Sequence, residues 1–305
     1  MRIVIALSNT VPAFAPTLAQ HTALAARLTG HELVSAANET QLLAELPFAD
    51  AAVVWRFPRE WYALAPRLRH VFTPSAGREP FEPDPRGLVA LHWGKFHGAL
   101  MGESLVGMIS FMNLELGAAI AAQAEQRWDR APYSRRRRLD GQVALIIGYG
   151  AIGQHCGRLL SALGLVVHGL RRRSAPPSPP AARLFTPAQR FEALALADHV
   201  VCVLPGDTGT DHFLDAAAFD AMKPSSVVYN LGRGNAIDVR ALTGALRAGR
   251  IAGAFLDVVP EEPLPAGSPL WRVPNLYLTP HASAIGADYL DLYFDELARA
   301  FGSLA

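Results

Sequence analysis

The chain is poor in cysteine, in net charge and in long apolar runs. Only two cysteines occur in its 305 residues, Cys156 and Cys202, both in apolar stretches without metal-ligand spacing around them. That rules out a disulfide framework, leaves no expected metal site, and predicts two reduced, buried thiols. The 28 Lys+Arg against 27 Asp+Glu leave a formal net charge of +1, which gives no electrostatic footprint for nucleic acid or a membrane surface. The longest apolar helical stretch, 105–122, is interrupted by Asn113 and Glu115 and falls short of a membrane span. At the N-terminus, MRIVIALSNTV has too short an apolar run for a secretory leader and no small-residue cleavage site after it. It reads as a first buried strand, and the expected location is cytoplasmic.

What is present is ample core material: 50% of the residues are hydrophobic, enough for two domains at this length. Short apolar runs alternate with helical patterns. Strands are expected at 2–7, 32–36, 51–55, 70–72 and 88–91, with a helix at 17–28. A long helix, apolar on most sides and therefore expected to be buried, spans 101 to about 125. A second series has strands at Val143–Ile147, Val166–Leu170, 199–204, Val227–Asn230, 254–258 and 276–279, and ends in a helix over 285–301. Continuous apolar strands alternating with helices predict α/β architecture with parallel sheets covered on both faces. Residues 174–180, SAPPSPP, read as an exposed loop, and the basic run 135–138 as solvent-exposed charge or an oligomer contact.

Gly148-Tyr149-Gly150-Ala151-Ile152-Gly153 directly follows a strand and opens a helix. A GxGxxG alone is weak evidence. In this context the first glycine permits the tight turn, the second lets backbone approach a pyrophosphate, and the third allows close helix–strand packing. The helix N-terminus adds free N–H groups and positive dipole. The next strand ends in Arg171-Arg172-Arg173, where an NAD site carries Asp or Glu for the ribose 2′-hydroxyl. Guanidinium groups there suit a 2′-phosphate, so NADP(H) is the expected cofactor, with NAD as the other possibility.

Arg233, Asp257, Glu262 and His281 each lie at or just beyond a predicted strand end. In an open parallel sheet, ligands bind outside the carboxyl ends of the strands. The residue types suit reduction of a 2-oxo acid. Arginine holds a carboxylate and polarises a ketone, histidine supplies a proton, and a carboxylate beside the histidine fixes its tautomer.

With these motifs and MKPSSVVYNLGRG, AGRIAGAFLDVVPEEPL and PNLYLTPHAS, the chain resembles the D-isomer-specific 2-hydroxyacid dehydrogenases. That family includes glyoxylate/hydroxypyruvate reductases, D-lactate, phosphoglycerate and formate dehydrogenases. The similarity covers nearly everything from Gly98 onward and, more loosely, the first part. The resemblance implies two doubly wound, Rossmann-like domains, with a cofactor domain (98–284) inserted into a substrate domain (1–97 and 285–305) and the active site in the cleft between them. It implies Arg233 as the ligand of the substrate carboxylate and carbonyl, His281 as acid/base, and Glu262 as its partner. Asp257 falls near the nicotinamide carboxamide, and Leu204, Pro205, Leu231 and Gly232 fall in the cofactor site. Ser75-Ala76-Gly77 becomes the loop whose N–H groups hold the substrate carboxylate. Arg56 and His97 are further candidates for the cleft.

Formate dehydrogenases pair their histidine with Gln, so Glu262 counts against that branch. Arg171 fits the NADP-using glyoxylate/hydroxypyruvate group. The expected function is an NADP(H)-preferring 2-oxo acid reductase, homodimeric through the cofactor domain and without nucleic-acid or membrane partners. The alternatives are a dinucleotide-sensing binding protein on the same fold, or an NAD-dependent 2-hydroxyacid dehydrogenase.

Overall fold

The computed structural model describes residues 1–173 and 180–304. In chain order the elements are β1 (Arg2–Ala6), α1 (Leu18–Arg27), β2 (Glu32–Ser35), α2 (Glu39–Glu45), β3 (Ala51–Val54), α3 (Trp61–Leu64), β4 (His70–Thr73) and β5 (Ala90–Trp93). There follow α4 (Gly98–Asn113), α5 (Leu116–Ala124), β6 (Val143–Ile147), α6 (Ala151–Ala162), β7 (Val166–Leu170), β8 (Arg183–Phe185) and α7 (Arg190–Leu196). The chain continues with β9 (His199–Cys202), α8 (Ala216–Asp220), β10 (Val227–Asn230), α9 (Val239–Arg247), β11 (Gly253–Leu256), β12 (Leu276–Leu278) and α10 (Tyr289–Gly302).

Two compact units form, one of Met1–His97 with Ile285–Ala305 and one of Gly98–Ala284. The first holds a parallel sheet of order β2-β1-β3-β4-β5, the second a parallel sheet of order β12-β11-β10-β9-β6-β7-β8. In each, the chain starts at an inner strand, winds outward one way and returns to wind the other, which makes both units doubly wound. The central strands β3, β9 and β10 are buried throughout because helices cover both faces, and they are apolar except for His199 opening β9 and Asn230 ending β10. Within the first unit, α10 lies beside α1, with Arg27 and Gln20 paired to Asp295 and Asp291.

The expected helix over 101–125 is two helices. Glu115 takes a left-handed conformation (φ 55°), and α4 and α5 meet at a 65° bend. No single helix among the described residues is long and apolar enough to cross a membrane. The expected burial holds for α4 but not for α5, where only Ala122 is buried and Ile120 is 59% exposed. The strand expected at 88–91 starts two residues later, because Asp84 closes a turn on Gly87 and Leu88 and leaves Leu88 on the surface. Edge strand β8 gave too short a run to be seen beforehand. The expected loop at 174–180 lies, apart from Pro180, outside the described residues. Cys156 and Cys202 are buried free thiols.

Three buried polar residues meet toward the amino ends of the central strands of the larger sheet, the end opposite the glycine motif. His199 opens β9 with 3% of its surface exposed, its Nδ1 3.1 Å from the Tyr229 hydroxyl and its Nε2 2.9 Å from Gln142 Oε1. Burial holds its titration down to about 4, against an ordinary 6.5. The folded state therefore refuses a proton that the unfolded state accepts below pH 6.5. Its contribution to stability is complete above pH 6.5, erodes as the pH falls, and is lost by about pH 4. The loss is about 3 kcal/mol. His168, His70 and His92 are shifted downward by burial as well and act with the same sign. Urea midpoints measured from pH 7 to pH 4 should fall, and His199→Gln should flatten that slope. An equally steep slope in the variant would remove His199 as the cause.

Candidate functional site

The glycine motif forms the first turn beyond β6. Gly148 has φ 98°, and a Cβ there would lie 2.7 Å from the Val203 carbonyl oxygen, so only glycine fits. A Cβ at Gly153 would lie 2.5 Å from the Gly148 oxygen, which keeps α6 tight on its strand. At Gly150 a Cβ would meet no protein atom within 4 Å, so the turn is open where a phosphate would approach. The first-turn amides of α6, from Ala151, Ile152 and Gly153, have no intrahelical acceptors by the geometry of a helix start. Open space, orphan amides and the positive end of a twelve-residue helix together fit a pyrophosphate.

Tyr149 does not face that space. Its side chain is 1% exposed, its ring occupies the room left by Gly169 on β7, and its N–H donates to the Leu170 carbonyl. The Tyr149 side chain belongs to the core, because glycines at 157 and 169 open a slot into which an aromatic ring packs. Leu231 is likewise buried, in the core beneath β10. Leu204 is half-buried and Pro205 is exposed beyond β9, beside the Gly148 turn. Arg171 follows β7, half-buried, its N–H bonded to Phe185 O, and Arg172 is exposed next to it.

The remaining residues line up along the carboxyl ends of β10, β11 and β12. Arg233 follows β10 with its side chain half-buried and Nη1 donating to the Gly232 carbonyl at 2.9 Å. Its turn is held by Asn230, whose Nδ2 donates to the Arg233 carbonyl and whose Oδ1 accepts from the Gly232 N–H. Sequence reading missed Asn230. The available signal was a polar side chain ending an apolar strand, a position from which it can bond the backbone two and three residues on.

His281 follows β12, on the surface, with φ 53°. Its Nδ1 lies 2.7 Å from Glu262 Oε2, and the other oxygen of Glu262 accepts from the Val259 N–H at 3.0 Å. A carboxylate can only accept, so the ring proton of the neutral imidazole sits on Nδ1, which leaves Nε2 as the ring nitrogen for proton exchange. Asp257 is 2% exposed, with Thr279 donating its hydroxyl to it. Thr279 is a second residue that the sequence reading did not single out.

Ser75-Ala76-Gly77 does turn beyond β4, but its N–H groups are partly engaged: Ser75 N–H donates to Thr73 Oγ1 and Gly77 N–H to Ser75 Oγ. His97 is buried, with Nε2 3.1 Å from the Tyr289 hydroxyl, and Arg56 is exposed, paired with Glu39 and stacked over Trp61. The basic run pairs Arg137 with the buried Asp198 and, on the surface, Arg138 with Asp140. No group of three or more potential metal ligands occurs among the described residues.

A seven-stranded, doubly wound parallel sheet with an open glycine turn at its switch point defines a dinucleotide-binding α/β protein. Residues 106–283, more than half of the chain, match the family model "D-isomer specific 2-hydroxyacid dehydrogenase, NAD binding domain". A glyoxylate/hydroxypyruvate reductase B of Pectobacterium carotovorum is 30% identical over 81% of this chain and 78% of its own length. A D-3-phosphoglycerate dehydrogenase of Mycobacterium leprae is 29% identical over 88% of this chain and 51% of its own, so the chain spans about half the length of that relative. Among solved structures, the NADPH-dependent glyoxylate/hydroxypyruvate reductase of Sinorhizobium meliloti, in complex with NADP and sulfate, superposes with a TM-score of 0.80 at 25% identity, covering 99% of this chain and 95% of the other. The chain belongs to the D-isomer specific 2-hydroxyacid dehydrogenase family.

Proposed function

We propose that the protein is an NADP(H)-preferring reductase of small 2-oxo acids of the glyoxylate or hydroxypyruvate type. The observation that carries this reading is the His281–Glu262 pair at 2.7 Å, set along the same strand edge as Arg233 and the open Gly150 turn. When bound, the reduced nicotinamide supplies a hydride to the carbonyl carbon. Arg233 holds the substrate carboxylate and draws electron density toward the ketone oxygen. His281, protonated, gives its Nε2 proton to that oxygen, and Glu262 keeps the Nδ1 proton in place and stabilises the charged ring beforehand. The Gly98–Ala284 unit serves as the cofactor domain and the other as the substrate domain.

Preference for NADP rests on Arg171 and Arg172 in the place of an acid, and the Sinorhizobium reductase supports it as a relative that binds NADP. Arg171→Asp should lower kcat/KM with NADPH by on the order of ten- to a hundredfold and raise the NADH to NADPH ratio, because a carboxylate repels a 2′-phosphate and accepts from a 2′-hydroxyl. An unchanged ratio would remove Arg171 as the selector. The exposed Leu116, Ile120 and Trp128 support a homodimer through the cofactor domain.

The reading is tested by following nicotinamide oxidation with a panel of 2-oxo acids, once with NADPH and once with NADH. Turnover of glyoxylate or hydroxypyruvate, faster with NADPH, is the expected result. Tight dinucleotide binding with no turnover of any acid would favour a dinucleotide-sensing role instead.

A further inference from the structure

We infer that the Gly98–Ala284 unit carries a second ligand site, a groove between α9 and the loop that holds Glu262, which takes a small organic acid with an apolar body. The groove has a volume of about 510 Å³, within the range that receives a small molecule. One wall is a single stripe of α9: Arg240, Thr243, Gly244 and Arg247 follow at i, i+3, i+4 and i+7 and share a face. The other wall and the floor are apolar, formed by Val259, Pro260, Leu264 and Leu270. Leu270 is buried in the core beneath, and Val259 and Leu264 pack against that core.

Charge selects the class of ligand. Arg240 and Arg247 are exposed, and neither pairs with an acid among the described residues. Arg250, three residues beyond Arg247, pairs with Asp220. Glu261 is the one acid that lines the groove, so its rim is net positive. A guanidinium binds a carboxylate through two N–H groups, while the apolar floor takes the body of the same molecule. Space points the same way. Glycine weakens a helix interior relative to alanine, and at Gly244 a Cβ would meet no atom within 4 Å. The fold therefore does not require glycine there, and what the glycine leaves is room in the groove.

The same loop reaches the His281 pair. Val259, on the groove wall, donates its N–H to Glu262 Oε1 at 3.0 Å, and Glu262 Oε2 lies 2.7 Å from His281 Nδ1. A ligand wedged against Val259 and Pro260 bears on the carboxylate that orients the ring. The contact is already short, so a displacement lengthens it, and occupancy lowers kcat without competing for the 2-oxo acid. This coupling rests on the reading above, in which His281 is the proton donor. The binding does not.

The test is calorimetric titration of octanoate into the full-length protein saturated with NADPH. Octanoate should bind with a dissociation constant below about 1 mM. Replacing both arginines, Arg240→Gln with Arg247→Gln, should weaken it on the order of tenfold, the scale of two exposed charged contacts. Gly244→Leu should fill the groove and abolish binding, with a melting temperature no lower than that of the unaltered protein, because leucine is the better helix former. Arg250→Gln, outside the groove, should bind octanoate as before. In turnover, saturating octanoate should lower kcat about fivefold with the KM for glyoxylate within about twofold, and Gly244→Leu should lose the response. Equal octanoate binding in Gly244→Leu would overturn the site. Binding without any change in kcat would overturn the coupling. No octanoate bound, with an oligomeric state altered by Gly244→Leu, would overturn the inference and give the groove to a second copy of the chain. Absence of glyoxylate turnover in the unaltered protein would defeat the reductase reading alone, because the titration decides the site independently.

Discussion

His281→Asn is expected to lower kcat by on the order of 10²–10⁴-fold while dinucleotide affinity stays within about threefold. Asparagine is the informative replacement because it accepts a left-handed backbone more readily than other residues do, so the 279–283 segment keeps its course at φ 53°. What is removed is the ring that Glu262 orients at 2.7 Å, and with it the Nε2 proton. A proton must then reach the developing alkoxide from water, which has neither the position nor the charge of the imidazolium. Single-turnover hydride transfer monitored at the nicotinamide absorbance separates this from slow product release. Retention of a tenth or more of the activity would dismiss His281 as the proton donor, and attention would turn to another group at the strand edge.

Arg233→Ala should cost a comparable amount, on the order of 10²–10³-fold in kcat/KM, divided between a higher KM for the 2-oxo acid and a lower kcat. The division follows from two tasks: holding the carboxylate is ground-state binding, whereas polarising the ketone matters most as charge builds on its oxygen. Arg233→Lys restores the charge without the planar fork, and about a tenfold recovery at most is expected. Misfolding is not the anticipated cause, since Asn230 holds the turn through the Arg233 carbonyl and the Gly232 N–H, both of which survive the substitution. A variant that saturates at the same substrate concentration as the unaltered protein would mean that the carboxylate is held elsewhere.

The sequence by itself determined the alternation of apolar strands and helices, and with it two parallel sheets. It also located the glycine turn at Gly148–Gly153 and the chemically apt residues Arg233, Glu262 and His281. These were legible because each depends on neighbours in the chain: a strand must be apolar throughout to be covered on both faces, and a phosphate turn needs glycine at fixed intervals. The local break at Glu115 was legible only as an interruption in an apolar run, because one left-handed residue re-aims a helix without changing its hydrophobic pattern.

The tertiary structure alone decided what each side chain touches. Tyr149 stands inside the glycine motif, yet its ring lies in a slot that Gly169, twenty positions away, leaves open. Asp257 carries the family motif, yet its carboxylate accepts from Thr279, Ala282 and Ser283 on the next strand's exit loop. Ser104, whose hydroxyl donates to the Ser283 carbonyl, gave no signal of its own, since a hydroxyl becomes a structural bond only when a distant carbonyl is brought within about 3 Å. Residue type and order along the chain set which chemistry is available. Register between strands, which arises from the packing of the whole sheet, sets which of those groups meet.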